Sequence, residues 1–287
     1  HIGRHFAGMG LPWSALSGMR LSLLFPIIGV TCLLPSEVSL SLWLFYALYL
    51  VQLLIWGSLG IGPEGGGSAL SINPSAFIHY QEAGAFLALG ALVLYQSRTA
   101  LREAWSSLTH CVPRDPSSGA VLSGRWALLG FGLANGFMLW WVTRAGATWW
   151  SFALLMAVFY AVLIGCSRLV AAGGVMYVSH EFTARGVVLS MVGAGAIGAQ
   201  SLTMYAYVWL AYMSDPMSLA MPQMMNSFKL VHSARLRGVA FTLAAGVALV
   251  AVTGFGLWAL LVMLHQHGAS SLADWPFTDY PGWAFGE

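Results

Sequence analysis

Residues 238–264 read GVAFTLAAGVALVAVTGFGLWALLVML, 27 positions without one Asp, Glu, Lys or Arg. At about 1.5 Å per residue such a helix is roughly 40 Å long, enough to cross a hydrocarbon core of about 30 Å with tilt. Similar apolar runs recur at 39–61, 82–97, 125–143 and 147–171. Residues 21–34 are apolar but shorter, the expected end of a span that begins near Trp13. Pro26 inside that run predicts a kink, because proline removes a helix hydrogen bond.

Polar stretches separate these runs. Arg98, Arg102 and Glu103 mark a polar helix end, and the segment from Ser106 to Gly124 is the longest polar stretch. Residues 98–125 are therefore expected to form an extramembrane loop, and 265–287 an extramembrane tail. Arg144, Ala145 and Gly146 form a tight turn crowded by Trp140, Trp141, Trp149 and Trp150, the pattern of an aromatic belt at headgroup level. Residues 215–237 are amphipathic and Met-rich and are expected along the interface.

The run 186–213 differs from the others. From Gly186 to Ser201 it is dominated by small and medium residues, and no aromatic appears before Tyr205. It reads either as one long span or as a broken, re-entrant or hairpin element. Charge helps to choose. Arg98, Arg102, Arg114 and Arg125 place 98–125 in the cytoplasm, and Lys229, Arg235 and Arg237 place 215–237 there too. Two spans, 125–143 and 147–171, return the chain to the cytoplasm at residue 172. The run 186–213 must then begin and end on one side, which a hairpin satisfies and a single crossing does not. Arg4 and Arg20 fit this count less well.

Composition supports the membrane assignment. The chain is 58% hydrophobic and 8% charged, with a mean hydropathy of +0.74, against about 25% charged residues in soluble domains. A net charge of +2 points to no nucleic-acid partner. Cys32, Cys111 and Cys166 lie far apart and form no metal or disulfide spacing, so they read as core cysteines. The sequence opens on His1, so a fragment of a longer chain is expected and the helix count is a lower bound.

Candidate motifs are few. Gly193, Gly195 and Gly198 spell GxGxxG, but a dinucleotide site needs a preceding strand, and both flanks here are membrane-apolar. Close packing, or backbone opened towards a cavity, is the favoured reading. Gly132 and Gly136 form a GxxxG expected to pack against another helix. His265 and His267 lack a third metal ligand. Met217, Met221, Met224 and Met225 read as an adaptable packing surface rather than a metal site. Arg168, Glu181, Arg185 and Asp215 are the charges nearest the suspected break, where they either snorkel to the headgroups or line a solute path. The candidate path residues are His180, Glu181, Gly193, Gly195, Gly198 and Asp215. No catalytic, cofactor or metal site is read from the chain.

The runs LPSEVSLSLWLFYAL (34–48), EAGAFLALGALVLYQSRTALREAW (82–105), RLVAAGGVMYV (168–178), SLTMYAYVWLAYMSDPMSLAMPQMMNSFKL (201–230) and DWPFTDYPGWAFGE (274–287) resemble a family of multi-pass bacterial and archaeal membrane proteins. Its two parts are catalogued as DUF6785 followed by DUF6784. Some members carry the label of peptide transporter, because their hydrophobic layout is similar to that of oligopeptide transporters. Members often show an acidic residue just before the glycines of the 168–178 segment, where this chain has Ala171 and Ala172. If that acid serves ion coupling, the resemblance does not carry the coupling over at this position.

The expectation is thus an all-α polytopic transmembrane bundle of about six or seven spanning or re-entrant helices. It is a single domain over 1–287 in the inner membrane of a bacterium. The expected function is non-enzymatic and transporter-like, moving a small polar solute or peptide. The alternative is a structural subunit of a larger membrane assembly. Membrane lipid, and other membrane subunits in the alternative, are the expected partners.

Overall fold

The computed structural model describes residues 6, 8–10, 12–16, 19, 25–32, 34–59, 76–109, 124–175, 178–180, 182–213, 219–234 and 238–268. After a 3-10 turn at Trp13–Leu16 come α1 (Phe25–Thr31), α2 (Ser36–Ser58), α3 (Ala76–Gln96), α4 (Arg98–Thr109), α5 (Gly124–Arg144) and α6 (Trp149–Gly173). Then follow α7 (Ala184–Val192), α8 (Ala194–Ile197), α9 (Ala199–Val208), a π-helical turn at Trp209–Met213, α10 (Ala220–Ser233) and α11 (Gly238–His267). No β-strand forms among the described residues.

The protein is an all-α polytopic bundle. Helices α2, α5, α6 and α11 are long and apolar enough to cross a membrane, and α3 with α4, bent by 60°, makes a fifth if the pair is one span. The broken 184–213 element brings the total to the lower end of the expected six or seven. Of the expected span around 21–34 the described residues hold α1, seven residues long, with Pro26 as its second described residue; residues 20–24 and 33, and with them the expected kink, lie outside the described residues.

Helix α6 is the hub. Half of its most apolar window is buried, whereas the corresponding windows of α2 and α11 bury nothing. Helices α3, α5, α7, α9 and α10 all pack against it. Small residues let α3 come close: a Cβ on Gly90 would overlap the carbonyl oxygen of Ala161, and a Cβ on Gly165 would sit 3.1 Å from the carbonyl oxygen of Phe86. In lipid, hydrocarbon competes with apolar side chains on equal terms, so such close backbone contact supplies much of the association. The pairing order is reversed along the two helices, so α3 runs antiparallel to α6.

The α5–α6 hairpin closes on a Schellman turn. The Ala147 amide donates to Val142 and the Gly146 amide to Thr143, with Gly146 at φ +97. Val142 and Ala147 are both buried beneath the turn. Trp140, Trp141, Trp149 and Trp150 around it are exposed, as a headgroup belt requires. At the other end, Gly174 caps α6 in the left-handed region. Helix α10 is fastened there, Asn226 donating to the Val175 carbonyl at 3.4 Å and Lys229 to that of Ala171 at 2.8 Å. The amphipathic 215–237 segment, expected flat on the interface, thus has its helical part packed on α6.

Two loop expectations are refined. Residues 98–109 are helical, and Gly124 already begins α5, so only 110–123 separates the two helices. The tail begins after His267, where α11 ends, and 269–287 lies outside the described residues. A cytoplasmic 98–125 on the same side as residue 172 requires α3 parallel to α6 if α3 crosses fully. The antiparallel order corrects that count, unless α3 and α4 enter and leave by one face.

Gly132 and Gly136 have nothing within 4 Å of a built Cβ, so the expected close packing at this GxxxG is not made within the described chain. Two glycine sets should therefore respond oppositely to alanine. Gly90→Ala should lower the thermal midpoint in detergent, at an overpacking cost of about 1–3 kcal/mol. Gly132→Ala and Gly136→Ala should leave it unchanged or raise it by the equivalent of about 0.4–1 kcal/mol.

Candidate functional site

The run 184–213 is broken twice. Gly193 (φ +84, ψ 143) ends α7, and Gly198 (φ +83, ψ 151) ends the four-residue α8. Both angle pairs are open essentially to glycine alone. The chain then turns back. Gly146 faces Gln200, whose Oε1 would lie 3.0 Å from a Cβ there, and the Thr148 amide donates to Ser201 Oγ at 3.0 Å. The Tyr205 hydroxyl donates to the Ser151 carbonyl at 2.6 Å, and Thr148 Oγ1 and Ser151 Oγ share a hydrogen bond of 2.6 Å. These bonds fix the start of α9 to the start of α6. Further on, the Trp209 ring lies 5.2 Å from the Arg185 guanidinium. Residues 24 apart would be roughly 36 Å apart along one straight helix. The segment is therefore a hairpin, with its tip on the α5–α6 turn and its two ends together beside the C-terminal half of α6.

The base of this hairpin holds the chemistry. Thr183 caps α7, its Oγ1 accepting the Gly186 amide at 3.0 Å. That cap puts Arg185 in the first turn and turned inward, only 6% exposed. A cation at a helix N-terminus opposes the helix dipole, and a buried one also loses hydration. The face of Trp209, itself buried, offsets part of that cost. His180 sits half-buried just before, its Nδ1 2.7 Å from the Phe182 carbonyl oxygen and its ring stacked on Phe182 at 4.6 Å. Phe86 of α3 meets both rings, at 6.0 Å from His180 and 5.7 Å from Phe182.

Helix α3 brings two more ionisable groups. His79, Ala83, Phe86 and Gly90 form the buried stripe that faces α6, with His79 3% exposed. Glu82 is half-buried and lies one turn after His79.

The six residues proposed from sequence fare unequally. His180 lies in this buried cluster. Glu181 and Asp215 lie outside the described residues. Gly193, Gly195 and Gly198 break or adjoin the breaks, but all three are exposed, with nothing within 4 Å of a built Cβ. The expectation that they would be buried against other helices is corrected: they turn the chain at an open tip. Ala171, where the resemblance points to an acid in other members, offers only its carbonyl, which Lys229 occupies. His79 and Glu82 went unnoticed because the expected span began at residue 82. The available signal was the three-residue spacing of His79 and Glu82 on the stripe that continues through Ala83, Phe86 and Gly90.

Apolar length, a single buried hub and a hairpin whose base holds ionisable side chains together define a polytopic membrane protein of helical type. The chain belongs to the family of unknown function DUF6785, whose profile matches residues 2–287. No curated protein and no solved structure gives a significant match.

The hairpin distinguishes three neighbouring glycines. Gly193→Ala and Gly198→Ala should each lower stability by about 1–3 kcal/mol, because alanine is strained at their backbone angles. Gly195→Ala, inside α8 and facing open space, should be neutral or mildly stabilising in the same thermal-shift measurement.

Proposed function

We propose that this protein is a transporter-like carrier of a small polar solute, with a short peptide as the leading class. The observation that supports it most is Arg185, a buried cation held on Trp209 at the base of a hairpin in an otherwise apolar bundle. Charges inside a membrane are costly and are kept mainly where they meet a solute, an ion or each other. The hairpin is also jointed at Gly193 and Gly198, which suits a moving element.

The second reading is a non-catalytic subunit of a larger membrane assembly. In its favour, α2 and α11 bury nothing in their apolar windows, and the Gly132–Gly136 face is open. We also place the protein in a bacterial cytoplasmic membrane, with 215–237 on the cytoplasmic side.

The test is solute flux. Purified protein in liposomes should exchange labelled di- and tripeptides above protein-free vesicles, and Arg185→Gln should reduce the rate at least about tenfold, as loss of about 1.4 kcal/mol of specific interaction would. Absence of flux for peptides and other small polar solutes, together with purification only in a fixed complex, would replace the carrier by the subunit.

A further inference from the structure

We propose that α4 lies on the membrane surface and binds anionic phospholipid, with Arg98 and Arg102 on the phosphate and Leu101 and Trp105 in the acyl boundary. The inference is independent of the carrier reading and concerns a face that the candidate site does not use.

The sequence of α4 sets its faces. Leu101 and Trp105 are four residues apart and form one row. Arg98 and Arg102, each three residues before one of them, form the next row. Ala104, Ser107 and Leu108 are half-buried. The first two press on the start of α5, where a Cβ on Gly124 would sit 3.0 Å from Ser107 Oγ and 3.1 Å from the Ala104 Cα. Leu101 is 48% and Trp105 69% exposed, and Arg98, Arg102 and Glu103 are exposed too. Around the helix, contact with α5 is thus followed by the apolar row, the arginine row, then Thr99 and Ser106, with Glu103 beyond them. A helix seated in the interface needs that order: apolar groups towards the acyl chains, cations at the phosphates, the acid in water.

Neighbouring elements place this face at the boundary. Helix α4 departs from α3 at a 60° bend, and its twelve residues are too short to cross a membrane alone. Helix α5 runs from Gly124 to the tryptophan-rich turn after Arg144. Its start, and α4 with it, therefore lies at the opposite boundary from that turn. Arg125 and Trp126 open α5 beside α4, both exposed. The Arg98 guanidinium lies 4.3 Å from the centre of the exposed Tyr95 ring. Stacking holds a guanidinium by its face and leaves its edge for the paired oxygens of a phosphate. Among the described residues from Tyr95 to Trp126, Arg98, Arg102 and Arg125 stand against one acid, Glu103. That charge balance selects an anionic headgroup, and the apolar row beside it selects a lipid over a free anion.

The experiment uses the full chain in vesicles of phosphatidylcholine with about 30% phosphatidylglycerol, an anionic surface. Spin labels are placed singly at Leu101→Cys and Glu103→Cys in a chain whose three native cysteines are serine. The label at 101 should be relaxed mainly by lipid-soluble oxygen, and the label at 103 mainly by an aqueous nickel chelate. Phosphatidylglycerol is also titrated into the detergent-purified chain. Arg98→Gln and Arg102→Gln should each weaken its binding about fivefold, and the pair about thirtyfold, as loss of about 1 kcal/mol per surface cation does. The paired change to lysine should keep most of the affinity, and Arg144→Gln, at the other end of α5, should keep all of it. Affinity no higher for phosphatidylglycerol than for phosphatidylcholine, or untouched by the paired glutamine change, would overturn the proposal. So would a label at 101 that the nickel chelate reaches as readily as the label at 103, a result read with both arginines in place.

Discussion

The fold depends on the close approach of α3 to α6. Where Gly90 faces Ala161 and Gly165 faces Phe86, the two backbones are nearly in contact. No side chain larger than hydrogen fits at Gly90 without moving a carbonyl. In a membrane this contact matters more than an equal contact in water, since lipid tails satisfy apolar surface as well as protein does. The approach also sets what lies beside it. His79 and Glu82 are two turns and one turn before the contact stripe's Phe86, and Cys166 follows Gly165 directly. The burial of His79 is therefore a by-product of the same register.

The hairpin depends on a second constraint, the satisfaction of backbone groups. A chain that reverses inside an apolar bundle must find partners for the amides and carbonyls freed at the turn. At the turn the partners are backbone groups: the Gly193 amide donates to Leu189, the Gly198 amide to Ala194 and the Leu202 amide to Gly198. Hydroxyls act where the hairpin is fastened to the start of α6, Ser201 accepting the Thr148 amide and Tyr205 donating to the Ser151 carbonyl. Breaks, fastening and buried Arg185 form one design, in which the tip is tied down and the base carries charge.

Much of this was legible in the chain. The spans at 39–61, 125–143, 147–171 and 238–264 emerge as helices with ends within a few residues, because an uncharged run of that length has no other stable form in lipid. The break within 186–213 was legible from its glycines. Legibility failed where tertiary contact decides. Nothing in the GLANGFM run of 132–138 distinguishes Gly132 and Gly136, which face open space, from Gly90, which meets a carbonyl. The three glycines of 193–198 look like packing residues in sequence, yet they serve backbone angles at an exposed tip. The site was half legible. His180 and Arg185 stood out as charges beside a break, whereas His79 and Glu82 acquire meaning only when α3 is placed antiparallel to α6.

The fold-back of 184–213 is the claim on which the site and the proposed activity both rest. Its most direct measurement is the sidedness of Ser179 and Tyr212, both exposed and placed at the two ends of the element. Each is changed singly to cysteine in a chain whose three native cysteines are serine, and labelled with a membrane-impermeant maleimide in right-side-out and inverted vesicles. A hairpin predicts that both positions label from the same face. Labelling from opposite faces would show a single crossing and contradict the account.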